Sequence, residues 1–160
     1  MKNANSKKGL SQDAAFDPNI ITNIAVDTSY VYSQNTGIMY TGMGIYMMDN
    51  NFNGGSSSEG TLELNTTVNS PMQTMGYNVF PIDNGVTGAT VAITGVQFSD
   101  GTNIWTDNGT PQESNGTSTC QWLGRAMQQG SMTYQLKIVI GFAGLPSKFY
   151  YWDPFATCNA

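Results

Sequence analysis

Alternation of apolar and polar side chains dominates this chain of 160 residues. Met132, Tyr134, Leu136, Ile138, Ile140 and Phe142 occupy every second position, with Thr133, Gln135 and Lys137 among the residues between them. A period of two puts such residues on one face of a pleated strand, so the run predicts a half-buried strand with one wet face. Leu62, Leu64, Thr66 and Val68 alternate in the same way against Glu63, Asn65 and Thr67. Shorter runs at 20–26, 44–48, 75–82, 90–98 and 148–152 predict further strands. Turn signals separate them: Asn53-Gly54-Gly55, Asp83-Asn84-Gly85, Asp100-Gly101 and Asn108-Gly109. No stretch sustains three turns of helical periodicity, and 27–33 or 121–129 has room for one short helix at most. The pattern predicts an all-β fold, a single-domain antiparallel β-sandwich of about seven or eight strands. It is jelly-roll-like or immunoglobulin-like, with the strand order left open.

Residues 1–17 carry Lys2, Lys7 and Lys8 in a polar context and are expected to form a flexible N-terminal arm. Pro18 marks the start of the sandwich domain, residues 18–160. The polar tract 106–119 reads as a long loop, because strand pattern resumes on both sides of it. No fixed-period repeat is present, which argues against a solenoid or propeller.

Charge changes the picture more than size does. Only 11 % of residues are charged, against about 25 % in an ordinary soluble protein. Gly, Asn, Ser and Thr fill the space, giving a polar surface with weak self-repulsion that favours close self-packing. With three lysines in the arm, only Arg125, Lys137 and Lys148 stand against eleven carboxylates. A body this acidic does not neutralise phosphates, so no nucleic-acid partner is expected. No apolar run approaches the ~20 residues that span a bilayer, and the N-terminus has no apolar signal-like core. The expectation is a cytoplasmic protein with no membrane partner, in which Cys120 and Cys158 stay reduced.

The chain contains no histidine, which removes the commonest general base and every Ser–His or Cys–His nucleophile pairing. Cys120 has no base to activate it. Glu59 and Glu63 would sit about 13 Å apart along a strand, beyond either glycosidase geometry. No catalytic residue and no cofactor are expected, and the protein reads as not an enzyme.

Three non-catalytic sites remain as candidates. Asp49, Asn51 and Asn53, with Gly54, match the front half of an EF-hand loop, in which alternate oxygens converge on a hard cation. The rear half fails: Gly60 holds the last liganding position and Glu59 falls one residue early. A turn is the preferred reading, with a weak calcium site of Asp49, Asn51, Asn53 and Glu59 as the alternative. Asp100, Asn103, Trp105, Asp107 and Asn108 offer a carbohydrate-binding, lectin-like loop, provided that Trp105 is exposed to stack on a sugar ring. The nine methionines include Met39, Met43 and Met47 in the Gly-interrupted segment 38–48. Thioethers adapt to irregular surfaces, so this segment is expected to mediate contact with a second copy of the chain.

Four motifs recur in one order: Ile24-Ala25-Val26-Asp27-Thr28; Tyr46-Met47-Met48-Asp49 with its Ser-rich turn; Gly130-Ser131-Met132-Thr133-Tyr134; and Tyr151-Trp152-Asp153-Pro154-Phe155. Together they resemble the AidA/PixA inclusion-body protein family of bacteria, which is methionine-rich, over residues 20–157. Met75-Gly76-Tyr77-Asn78-Val79-Phe80 stands where family members often carry a charged Arg/Trp element. The resemblance implies a non-enzymatic protein whose partner is itself, in dense cytoplasmic inclusions. It carries over no catalytic residues.

Overall fold

The structure, a computed structural model, describes residues 16–39, 43–83 and 87–160. Its described part is an all-β sandwich of two sheets. The first sheet contains β1 (Ile20–Val26), β3 (Ile45–Asp49), β5 (Thr74–Pro81), β7 (Gln112–Glu113) and β8 (Trp122–Arg125), in the order β3-β1-β5-β8-β7. The second contains β2 (Gly37–Ile38), β4 (Asn65–Val68), β6 (Thr90–Gly101), β9 (Gly130–Gly141), β10 (Lys148–Trp152) and β11 (Phe155–Cys158). Short helices α1 (Thr28–Ser33) and α2 (Thr106–Gly109) complete the described elements.

Strand β9 is the alternating run found in the sequence, and its apolar set faces inward as expected: Met132, Tyr134, Leu136, Ile138 and Ile140 are all buried. On one side it pairs along its length with β6, through two bulges. On the other it pairs with β10 and then β11, both antiparallel. Asp153-Pro154 interrupts this second partner without ending it. Trp152 lies opposite Leu136 and Phe155 opposite Thr133, so the register is kept across the break. Proline has no N–H to give the ladder, but its carbonyl still accepts from Tyr134 N–H at 3.0 Å. Asp-Pro therefore punctuates one long strand and does not stop it.

The sheets are mixed, a departure from the purely antiparallel arrangement. β1 runs parallel to β5, β2 to β10 and β4 to β11. Each parallel pair joins segments distant in sequence, which local alternation does not encode. The one-helix expectation at 27–33 is met by α1, whose cap is Asp27: its carboxylate accepts from Tyr30 N–H at 3.0 Å. The other helical window, 121–129, contains strand β8 instead. The tract 106–119, expected as a loop, contains α2 and β7. Leu62 and Leu64 are buried as their spacing requires, although the ladder of β4 begins only at Asn65.

Residues 1–15 of the expected arm lie outside the described residues. Phe16 and Asp17, also assigned to the arm, are tied to the body. Phe16 bridges to Ser118, and Asp17 accepts from the Thr119 hydroxyl at 2.6 Å. Among the described residues no helix is long and apolar enough to cross a membrane.

Two contacts bind the sheets across the core. Trp152 Nε1 donates to Met47 Sδ at 3.0 Å, and Trp105 Nε1 donates to Met75 Sδ at 3.3 Å. A buried indole needs an acceptor, and thioether sulfur supplies one without bringing a second strongly polar group inside. Gly76 in β5 has a steric role: a Cβ there would meet Cys120 Sγ and Pro18 at 2.5 Å.

Two outcomes are expected. Leu136→Ala should cost about 3 kcal/mol in urea unfolding, as truncations in a close-packed core do, whereas Thr133→Ala should stay within about 0.5 kcal/mol. Cys120 and Cys158 are free and buried, and burial raises the acidity constant of each thiol. At pH 8 both should react slowly with a disulfide reagent in the native protein and fully after unfolding; a denatured count of zero would mean that they pair.

Candidate functional site

Of the three candidate sites, the acidic turn after β3 is the one in which the structure brings carboxylates together. In β3 the core-facing residues are Ile45 and Met47, so period two puts Asp49 on the same side. Across the sheet Asp49 lies opposite Thr22 of β1, and Thr22 lies opposite Tyr77 of β5. Tyr77 and Tyr134 meet edge to face from the two sheets, with ring centroids 6.1 Å apart, and Trp105 packs on Tyr134 at 5.1 Å.

The chain leaving β3 makes a turn with a 3-10 segment at Phe52–Gly54 and returns through Ser56–Leu64. Three hydrogen bonds shape the turn. Asn51 N–H donates to Asp49 Oδ1 at 2.8 Å, Asn51 Nδ2 donates to Thr67 O at 2.6 Å, and Thr67 N–H donates to Ser56 Oγ at 2.9 Å. The returning segment is tied to β3 by Gly60 N–H to Met47 O at 2.7 Å, which places Glu59 beside Asp49. Glu59 Oε2 accepts from Asp49 N–H at 3.0 Å. Burial, with the charge of Asp49, pushes the Glu59 carboxyl above its ordinary value, and the Asp49 N–H pulls it partly back.

Each carboxylate keeps one oxygen without a partner. Asp49 Oδ2 and Glu59 Oε1 are buried and unbonded, as are the hydroxyls of Tyr77 and Tyr134. Both phenols are fully buried, and burial above all holds each well above the ordinary tyrosine value. The charge of Asp49 raises both further.

The EF-hand pattern itself is not assembled. Asn53 is exposed, and the Asn51 amide is engaged at Thr67, so of the four residues only Asp49 and Glu59 converge. The lectin-like loop is corrected as well. Trp105 is fully buried against Tyr134 and its indole N–H is spent on Met75, so it presents no face to a sugar. Asn103 accepts from Trp105 N–H, while Asp100, Asp107 and Asn108 are exposed without that aromatic platform. The methionine contact is corrected in part: Met39 and Met47 are buried, and only Met43, 60 % exposed, remains at the surface. Met47 is inside because β3 registers it on the core face, under Trp152.

Sequence reasoning missed Tyr77 and Tyr134 as paired buried hydroxyls, and it missed why Asp49 matters. The signal was present in the alternation, since a carboxylate two positions after a core methionine on a strand faces the core.

Residues 19–145 match the family model described as a domain of unknown function, DUF8788. The chain belongs to this family. The DUF8788 match takes in Asp49, Glu59, Tyr77 and Tyr134 alike, and ends before β10 and β11. Among solved structures, the crystal structure of an inclusion body protein, PixA, from Burkholderia cenocepacia J2315 has a similar fold. The TM-score is 0.67 at 17 % identity, covering 94 % of this chain and 99 % of that one. This likeness of fold agrees with the resemblance carried by the four sequence motifs. No curated protein matches the chain.

The orphaned phenols generate a prediction. In the presence of EDTA, Tyr77→Phe or Tyr134→Phe should leave stability within about 1 kcal/mol of wild type, or raise it, because the lost hydroxyl makes no bond. Both constants lie above the ordinary 10.0 in the folded state. The stability linked to them is therefore complete below pH 10 and is lost as pH rises toward the folded values. Ultraviolet titration should show these two tyrosines ionising only as the protein unfolds, and each Phe variant should unfold at higher pH than wild type.

Proposed function

We propose that this protein is a non-enzymatic, self-associating protein of the inclusion-body type that packs into dense cytoplasmic assemblies. The observation that carries the reading is the match of fold to a protein named for inclusion bodies over almost the full length of both chains. Composition supports it: with 11 % charged residues, little electrostatic repulsion opposes close packing of copies.

The surface supports it too, at a different place from the methionine segment. Phe149 of β10 is 58 % exposed and Phe155 of β11 is 41 % exposed. They lie on the outward face of one long strand, since the buried Tyr150, Trp152 and Ala156 alternate to the other side. Exposed aromatics in series on a sheet face suit contact with another apolar face. The lectin-like alternative has no exposed tryptophan at Trp105 to support it.

Sedimentation of the purified protein tests the proposal. A species heavier than the 17.3 kDa monomer is expected, persisting from about 0.05 to about 0.5 M salt, because few ion pairs are available to be screened. Phe149→Lys with Phe155→Lys should shift it toward monomer. A wild-type monomer at cellular concentrations in both salts would overturn the reading, as would a native host in which the protein never sediments with particles.

A further inference from the structure

The acidic turn carries chemistry that self-association does not use. Asp49 and Glu59 each commit one oxygen to a backbone N–H, Asp49 Oδ1 at 2.8 Å and Glu59 Oε2 at 3.0 Å. These bonds fix both carboxylates in place. The remaining oxygens, Asp49 Oδ2 and Glu59 Oε1, are buried beside one another's carboxylates with no donor. Buried polar atoms in folded proteins nearly always find partners, so an unsatisfied pair calls for an occupant. The occupant must be a donor or a positive charge, because an ionised carboxylate only accepts.

A second observation points the same way. The Tyr77 and Tyr134 hydroxyls, on fully buried side chains, are also without partners, and both lie within the field of Asp49. The row Asp49–Thr22–Tyr77 across β3, β1 and β5 places them on the same core-facing side of the sheet as Asp49. No side-chain cation stands among the groups that act on Glu59. Lys137 Nζ is engaged at Gln97 and Lys148 Nζ at the Tyr32 carbonyl, away from this turn. The chain thus gathers oxygens around two carboxylates and supplies no positive charge of its own.

We propose that Asp49 and Glu59 hold a hard divalent cation, calcium or magnesium, with Asp49 Oδ2 and Glu59 Oε1 as its protein ligands. Both ions take oxygen ligands. Calcium accepts irregular sets of carboxylate, hydroxyl and water oxygens, while magnesium binds one or two carboxylates and keeps its waters. The site differs from an EF-hand in its ligands and in its scaffold: one carboxylate comes from the end of a strand and the other from the segment that returns along it. The cation would link β3 to the segment after the turn, so its binding adds to the stability of the fold. The inference is independent of self-association.

The test uses the full-length chain stripped with EDTA. Its melting temperature is followed against CaCl2 and MgCl2 up to about 10 mM, a ceiling set by the weakest natural calcium modules, with NaCl of matched ionic strength as control. A rise that continues with the logarithm of cation concentration is expected for at least one of the two ions, as linkage requires. Glu59→Gln should weaken cation affinity at least about tenfold, a single ligand's worth of binding. It should melt in EDTA no lower than wild type, because the Gln amide oxygen still accepts from Asp49 N–H. Equilibrium dialysis of wild type with calcium and with magnesium reads binding directly, whatever the variant does, and one ion per chain is expected. Failure of both ions to raise the melting temperature above the NaCl control would overturn the proposal. So would an equal rise in Glu59→Gln, or dialysis without stoichiometric uptake.

Discussion

The second sheet depends on the unbroken alternation of β9, because that strand is paired on both sides along nearly its whole length. A strand in that position must bury one face completely and tolerate close neighbours left and right, which Leu136, Ile138 and Ile140 do without any polar atom inside. Its partner can then be imperfect. Pro154 removes a ladder donor, yet β10 and β11 keep one register, since the side-chain pairs with β9 are specified by burial. Slipping by one residue would turn Trp152 and Ala156 to solvent and bring Phe149 and Phe155 inside. The exposed aromatics and the buried tryptophan are therefore two consequences of one register.

The same alternation explains why polar chemistry sits inside the sandwich. Tyr134 and Tyr77 occupy core positions by parity, one on each sheet, and Asp49 follows them there by parity on β3. A neutral phenol is tolerated when its ring packs well, and these rings meet edge to face with Trp105 behind them. A carboxylate is not tolerated so easily. The turn from Asp49 to Glu59 answers this by giving each carboxylate a backbone N–H, and leaves one oxygen on each facing a need that the protein's own donors do not meet.

Much of this was legible in the chain. Strands β1, β3, β5, β6, β9 and β10 were readable because each carries enough alternation or an apolar run to announce a face. Strands β2 and β7 have two residues apiece, too few for any period. Strand β8 contains Gly124 and sits in a window that reads as weakly helical, and β11 hides behind a proline that looks like a terminus. The parallel pairings were not readable at all, since they join segments far apart in sequence. For the site, spacing identified Asp49 and Glu59 for a reason that does not hold: the pattern assumed a loop wrapping one point, whereas strand pairing through Gly60 and Met47 does the convergence. Asn51 and Asn53 fitted the pattern and serve the turn instead.

The methionines show how a compositional signal can point to the wrong surface. Their abundance suggested an adaptable contact patch, but Met47 and Met75 are consumed by the two fully buried tryptophans, each thioether accepting an indole N–H. A sandwich that buries indoles deep between its sheets needs acceptors there. Backbone carbonyls on the inner faces are already committed to the ladders. Sulfur meets that need while packing as a hydrophobe, so part of the methionine enrichment follows from the tryptophans. What remains for the outside is a surface poor in charge, with Phe149 and Phe155 on the second sheet and the carboxylate pair at the end of β3 on the first. Packing between copies and cation binding thus draw on different sheets of one fold, and neither requires the other to change.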